Sequence, residues 1–220
     1  MELIGHRGCA DQYPENTVHA VRRSSRYLDT IEVDVRRCRS GELVVFHDET
    51  VDRLTDATGR VADLDWATLR DLEVMGSGET VPRLSTVLEA FPDGIRAQVE
   101  LKERGLAADV RDAVAASDVE VTVSSFDTVA LAEVADLDWE VDTGFLFEAD
   151  PNGNLATARD LDCAVVHPHY DLCLETDVVD RAHAAGLRVV AWKAARTAEE
   201  VQAVREAGVD GITADRWDIA

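Results

Sequence analysis

Short apolar runs alternate with amphipathic stretches from one end of the chain to the other. Brief apolar or β-branched runs read as strands, and apolar positions recurring three and four residues apart read as helices. Strands are expected at Glu2–Gly5, Thr30–Val35, Ile95–Leu101, Val119–Ser124, Glu140–Phe145, Cys163–Val166, Leu187–Trp192 and Gly211–Thr213. Helices are expected at Thr17–Arg26, Ser85–Phe91, Leu106–Ala116, Val129–Ala135, Leu155–Leu161, Thr176–Ala185 and Ala198–Ala207. Asp127 or Thr128 supplies an N-cap before Val129, and Gly186 and Gly208 follow their helices where a left-handed C-cap is needed. Strands alternating with helices imply a parallel sheet. Eight such units in 220 residues fit a closed (β/α)8 TIM barrel better than an open doubly wound sheet, and no Gly-rich GxGxxG follows a strand to support a dinucleotide fold.

The rhythm breaks once. From Arg36 to Leu84 the chain shows a hairpin signal at Ser40-Gly41, a further strand at Glu42–Phe46, polar turns and a short helix at Trp66–Leu72. A small inserted subdomain after the second barrel strand, opening as a β-hairpin and lying over the barrel mouth, accounts for residues 36–84 without a second domain. The chain is therefore expected to form one domain, 1–220.

The C-terminal ends of barrel strands are where an active site forms. The first strand ends in His6-Arg7-Gly8, the second carries Glu32-Val33-Asp34 and the third Glu100-Leu101-Lys102. Side chains two apart on a strand share a face, so Glu32 with Asp34, and Glu100 with Lys102, project as pairs. Three carboxylates gathered near one point cannot all stay ionised unpaired, and the arrangement calls for a cation. An all-oxygen set suits one divalent ion, Mg²⁺, Ca²⁺ or Mn²⁺, and argues against zinc. The run Val44-Val45-Phe46 delivers His47-Asp48 to the end of the inserted hairpin, a second histidine over the same mouth. Arg7 and Lys102 add fixed positive charge, and Lys102 is one of only two lysines among 22 basic residues. A cation with Arg7 and Lys102 to hold phosphoryl oxygens, and two imidazoles to move protons, describes a phosphate-ester site.

His6-Arg7-Gly8, Pro14-Glu15-Asn16-Thr17, Glu32-x-Asp34, Val45-x-His47-Asp48, Glu100-x-Lys102, Ser124-Ser125-Phe126 and Gly208-Val209-Asp210-Gly211-Ile212 stand in an order and spacing that resemble the glycerophosphodiester phosphodiesterase family along essentially the whole chain. The resemblance implies a TIM barrel with a small insert, a metal-dependent hydrolase of lipid metabolism that cleaves glycerophosphodiesters to glycerol phosphate and an alcohol, and a cyclic intermediate. It implies a divalent metal held by Glu32, Asp34 and Glu100, acid and base roles for His6 and His47, and phosphate contacts from Arg7 and Lys102. Two rivals stand beside it: a metal-dependent barrel isomerase, which needs no second histidine, and a non-catalytic phosphodiester-binding protein.

The chain departs from the family where Trp-Thr-Val-Asn often follows the seventh strand and Thr-Asp-x-Pro often closes the sequence. Here stand Trp192-Lys193-Ala194-Ala195 and Thr213-Ala214-Asp215-Arg216. Trp192 is expected to wall the site against the glycerol carbons and to offer one N–H donor, while strand alternation turns Lys193 away from the barrel axis unless the strand ends one residue early. Asn16 is expected to cap the helix that follows it, with Thr17 as the alternative cap and a supporting role near the site as a second use of Asn16. His167 and His169 either line the mouth or pack beneath a loop. His19 and His183 fall on helices as exposed or packing residues.

Charge narrows the class of partner. Acidic residues number 44 against 22 basic ones, a net charge of −22, whose field repels nucleic acids and anionic surfaces and leaves a small-molecule substrate. No apolar run is long enough to span a bilayer, no signal peptide is evident, and Cys9, Cys38, Cys163 and Cys173 show no CxxC spacing; a cytoplasmic, reduced protein with four buried or half-buried thiols is expected. Carboxylates spread along the whole chain read as adaptation to concentrated salt. Because about 1 M salt shortens the screening length to about 3 Å, the melting temperature should rise from low to molar KCl. A melting curve that is flat or falls over that range removes the halophilic reading.

Overall fold

The computed structural model describes residues 1–193 and 197–219. In chain order its strands are β1 (Glu2–Gly5), β2 (Thr30–Arg37), β3 (Leu43–Val45), β4 (Arg96–Leu101), β5 (Val121–Ser125), β6 (Asp142–Phe147), β7 (Val165–Pro168), β8 (Arg188–Ala191) and β9 (Gly211–Ala214). β1 pairs in parallel with β2 on one side and β9 on the other, so all strands but β3 close an eight-stranded parallel barrel. β3 lies antiparallel on β2, with Arg37 opposite Leu43, as the Ser40-Gly41 turn predicts. The helices are α1 (Val18–Ser24), α2 (Trp66–Leu69), α3 (Leu84–Leu88), α4 (Ala107–Ala115), α5 (Thr128–Ala135), α6 (Pro151–Asp160), α7 (Tyr170–Glu175), α8 (Val178–Ala184) and α9 (Ala198–Glu206).

The expected elements all form, with shifted ends. β5, β6 and β7 begin two residues later than the apolar runs suggest and extend further at their C-terminal ends, because the leading apolar residues pack in the connection beneath the barrel. The run Ser85–Phe91 shortens to Leu84–Leu88, and Trp66–Leu72 shortens to Trp66–Leu69. α6 starts at Pro151, four residues before the expected Leu155, capped by Asp150, whose carboxylate accepts from the Gly153 N–H. Asp127 caps α5 by accepting from the Val129 N–H at 2.9 Å. α7 is a helix the apolar pattern does not predict.

Strand alternation sorts the side chains. Ile31, Val33, Val35, Ala97, Val99 and Leu101 point outward and are buried against Leu84, Val87, Leu88, Val110, Ala130 and Val134 on the helices. Each such residue withdrawn from water contributes about 1.5–3 kcal/mol. The insert has its own core of Cys38, Val44, Phe46, Val51, Leu54, Val61, Leu69, Val74 and Val81. All four cysteines are free and buried, and burial first, then nearby Asp215 and Asp218, pushes the Cys9 thiol up to about 12.

Inward-facing positions form layers. At the bottom, the Glu2 carboxylate accepts from Thr30 at 2.6 Å, Arg96 at 2.5 Å and Arg188 at 2.9 Å. Ile4, Val165 and Val190 make an apolar layer there, and above them the Gln98 amide donates to the Ser124 hydroxyl at 3.1 Å. The interior is thus filled, as a barrel of this strand number requires, and only the upper layer is left to open on the mouth.

His167 belongs to this filling. It is 1% exposed on β7, and a Cβ at Gly144 on the neighbouring strand would lie 2.5 Å from its Nε2, so the glycine makes room for the imidazole. Burial first, and then Arg188, lowers the pKa of His167 from 6.5 to about 3, with Glu2 opposing weakly. A folded-state pKa below the unfolded one means that the unfolded chain binds the extra proton, so stability is full above about pH 6.5 and falls as pH drops toward 3. Urea unfolding should show this loss, of order 4 kcal/mol in total, and His167→Gln should remove most of that pH dependence. Equal pH slopes in the two proteins over this window would show that His167 does not carry it.

Candidate active site

β2 and β4 are paired in register, with Glu32 opposite Gln98 and Asp34 opposite Glu100. Asp34 and Glu100 therefore stand side by side on the inner face with Glu32 two residues below Asp34, and one carboxylate oxygen from each of the three lies within 4.8 Å of the others. Their exposures are 1%, 0% and 6%, so the charges have left water. One oxygen of each is held by the protein. The Arg7 backbone N–H donates to Glu32 Oε2 at 2.7 Å, the Asn16 amide donates to Asp34 Oδ2 at 2.8 Å, and the Lys102 ammonium donates to Glu100 Oε1 at 2.5 Å. Glu32 Oε1 and Asp34 Oδ1 are buried without a hydrogen bond.

Buried acceptors left unpaired beside one another are costly, and the direction of titration reflects it. Burial, then Asp34 and Glu100, raises Glu32 well above the ordinary carboxylate range. Burial also pushes Asp34 upward, but Lys102, Arg7, His47 and His6 outweigh it and hold Asp34 below its usual value. An oxygen-only donor set with two unsatisfied buried oxygens fits a hard divalent cation, which would restore the balance that Glu32 otherwise lacks.

The turn after β1 brings His6 and Arg7 to the triad. Gly8 within it has φ +76°, and a Cβ there would lie 2.6 Å from Ala20 Cβ on α1, so the close approach of turn and helix requires glycine. His6 Nδ1 donates to Asp215 Oδ1 at 2.5 Å, a residue just beyond β9. His47 arrives on the insert, fastened where the Phe46 N–H donates to Asp34 O at 3.0 Å and Arg36 Nε donates to His47 O at 2.9 Å. Its Nδ1 donates to Asp48 Oδ1 at 2.6 Å. A carboxylate on Nδ1 fixes the tautomer and leaves Nε2 of each imidazole to exchange a proton. Burial is the largest influence on His47 and, with Lys102 and Arg7, lowers its pKa against the pull of Asp34 and Asp48.

Arg7 and Lys102 stand where the sequence places them, already engaged with carboxylates. Arg7 pairs with Glu15 at 2.9 Å and Asp34 at 3.4 Å, and Lys102 reaches Asp34 at 3.5 Å. His6, Arg7, Glu32, His47, Glu100 and Lys102 border one open cavity of about 580 Å³. Trp192 forms its far wall, edge-on to Phe126 and to His169. Its indole N–H, expected to be a free donor, is instead used on Phe147 O at 3.0 Å, which fixes the ring as an apolar surface.

Three further expectations are corrected. β8 ends at Ala191, one residue early, and Lys193 beyond it, at φ +55°, lines the cavity instead of turning away from the axis, so both lysines of the chain border it. Ala194-Ala195, which complete the Trp192-Lys193 departure, lie outside the described residues. The cap of α1 is Thr17, whose Oγ1 accepts from the Ala20 N–H at 3.1 Å, while Asn16 grips Asp34 through its amide and accepts from the Asp34 N–H at 3.1 Å. Of the two open histidines, His167 packs inside the barrel and His169 meets Trp192 at the mouth. His19 packs edge-on against Tyr13, and His183 bonds Asp210. In the sequence Asp215 stands out only as part of a divergent ending; its place two residues after the inward-facing Thr213 is the signal that points to the site.

The sequence model described as the Glycerophosphoryl diester phosphodiesterase family matches residues 6–219. A glycerophosphodiester phosphodiesterase of Caldanaerobacter subterraneus subsp. tengcongensis is 29% identical over 97% of this chain and 93% of its own. Among solved structures, a phosphodiesterase of Oleispira antarctica in complex with the product sn-glycerol-3-phosphate is 26% identical, with a TM-score of 0.88 over 98% of this chain and 93% of that one. A putative glycerophosphodiester phosphodiesterase of Galdieria sulphuraria is 28% identical, with a TM-score of 0.87 over 97% of this chain and 93% of that one. Among the described residues no helix is long and apolar enough to cross a membrane.

Adding Mg²⁺, Mn²⁺ or Ca²⁺ to the chelated protein should raise its melting temperature, by about 2.7 kcal/mol of stability at a hundredfold excess over Kd. Glu32→Gln should lose most of that gain. A chelated protein indifferent to all three ions would exclude the carboxylate triad as a cation site.

Proposed function

The chain belongs to the glycerophosphoryl diester phosphodiesterase family, and we propose that it hydrolyses glycerophosphodiesters to glycerol phosphate and an alcohol by two-histidine acid–base catalysis. The observation that carries this reading is the meeting of two imidazoles, each with a carboxylate on Nδ1, beside three buried carboxylates, two of whose oxygens have no hydrogen bond. Neither a barrel isomerase nor a passive phosphodiester binder needs a second histidine brought in on an insert. In this reading residues 36–84 and the barrel form one catalytic unit, because the insert supplies His47.

Glu32, Asp34 and Glu100 would hold one divalent cation, Mg²⁺, Ca²⁺ or Mn²⁺, which supplies Lewis-acid stabilisation of phosphoryl oxygen charge. Arg7 and Lys102 face the same oxygens with fixed positive charge, and their own carboxylate partners keep both side chains extended toward the cavity. Trp192 walls the carbon skeleton of the substrate. One imidazole removes the proton from the glycerol hydroxyl next to the phosphoester while the other protonates the departing alkoxide. The hydroxyl oxygen bonds to phosphorus as the alcohol leaves, giving a cyclic glycerol phosphate. Water then opens the ring with the two histidines in exchanged roles, for which a matched pair of imidazole–carboxylate units is suited. The net charge of −22 favours a small diester over a nucleic acid as substrate.

A panel of glycerophosphodiesters assayed with and without chelator tests the reading. Glycerol phosphate should appear only with metal present. His6→Ala and His47→Ala should each lower kcat by about 10²–10⁴-fold with folding intact. Both variants retaining near-normal rates on a natural diester would show the histidine assignment to be wrong.

A further inference from the structure

Arg53 lies on the insert, five residues beyond Asp48, and its guanidinium is engaged on both edges at once. Nε donates to Asp48 Oδ2 at 2.6 Å and Nη2 to Asp48 Oδ1 at 3.0 Å. Nη1 donates to Glu15 Oε2 at 2.8 Å, and Nη2 also reaches Glu15 Oε1 at 2.8 Å. Asp48 is the acceptor that holds His47. Glu15 belongs to the loop after β1, has a side chain only 6% exposed, and takes its second cation from Arg7, whose backbone N–H holds Glu32. One unbroken chain of contacts thus runs from His47 through Asp48, Arg53, Glu15 and Arg7 to the carboxylate triad.

Two features distinguish this chain from ordinary surface pairing. A planar guanidinium can meet two carboxylates bidentately, which fixes angle as well as distance, and an ammonium cannot. The pairing with Asp48 stays within the insert, while the pairing with Glu15 crosses to the barrel. Arg53 therefore joins the two bodies at the point where the imidazole must be aimed. Without it, Asp48 loses the donors that orient its carboxylate, and the buried charge of Glu15 falls on Arg7 alone.

We propose that Arg53 is a positioning residue that, through Asp48 and Glu15, sets the insert on the barrel so that the His47 imidazole faces the reacting phosphoester. The proposal rests on the reading of His47 as an acid–base group. Arg53 touches no reacting atom in this role, so its removal acts on turnover rather than on substrate affinity.

The test uses the full chain with divalent metal supplied, glycerophosphocholine as substrate, and a double-mutant cycle with His47. Arg53→Gln should lower kcat by about 10- to 100-fold, the scale of a misplaced catalytic group, with KM changed by less than about threefold. The same substitution made on His47→Ala should cost less than about twofold further, because the group it positions is already gone. Arg53→Lys should keep the melting temperature of the parent while recovering little of kcat, since charge is restored without the fork. A full additional loss on His47→Ala, or a raised KM with kcat unchanged, overturns the proposal, the latter by making Arg53 a substrate ligand. Nitrogen-15 NMR of the His47 ring gives a readout independent of turnover: the parent should hold the Nδ1–H tautomer, and Arg53→Gln should show a mixture. An unchanged tautomer overturns the proposal even if the parent hydrolyses no diester, an inactivity that would separately overturn the proposed function.

Discussion

Three carboxylates share one buried corner of this barrel, and most of the mouth is an answer to the cost of putting them there. Glu32, Asp34 and Glu100 have almost no exposure, and two of their oxygens find no donor in the protein. Burial alone would drive all three neutral. Arg7, Lys102 and Asn16, with the Arg7 backbone N–H, offset part of that cost. The oxygens left without a hydrogen bond are of the kind a hard cation takes. That is also why the two nearest basic groups are not idle charges awaiting a substrate: Asp34 holds both, with Glu15 for Arg7 and Glu100 for Lys102, and both are raised in pKa because these contacts outweigh burial.

The barrel supplies the rigidity that such a site needs. Its lower interior is closed by Glu2 with Arg96 and Arg188, then by Ile4, Val165 and Val190, so the barrel is filled beneath the mouth. Register does the rest. Pairing of Asp34 with Glu100 across β2 and β4 sets two of the three carboxylates side by side, and a slip of one residue would turn the acids into the apolar layer beneath the helices. The insert is anchored to the same strand, since Phe46 bonds the backbone of Asp34. His47 and the triad thus share a support.

The two histidines reach the cavity by unlike routes and end in like surroundings. His6 comes from the turn after the first strand and is held by a carboxylate at the end of the last; His47 comes from the insert and is held by its own neighbour in sequence. The similarity of the finished units suits a reaction whose second half reverses the first. The apolar wall opposite, with Trp192 fixed to Phe147 O and edge-on to Phe126, is placed to meet carbon rather than charge.

Much of this was legible along the chain. Period-two alternation puts Glu32 with Asp34 and Glu100 with Lys102 on one face wherever a strand forms, and alternation of strands with helices is enough to expect a barrel whose strand ends converge. Those inferences hold because they depend on local geometry that burial reinforces. Where backbone departs from the regular strand, the reading fails: Lys193 adopts φ +55° and lines the cavity, against alternation. It fails also where one residue has two partners to choose from, as when Thr17 takes the cap and frees Asn16 for Asp34. Asp215 lies 209 residues from His6, and Arg53 is 38 residues from Glu15. The sequence by itself determined which side chains share a face; closure of β1 onto β9 and the seating of the insert decided which of those faces meet, because the pairing energy of distant charges exists only once the barrel has brought them within bonding distance and away from water.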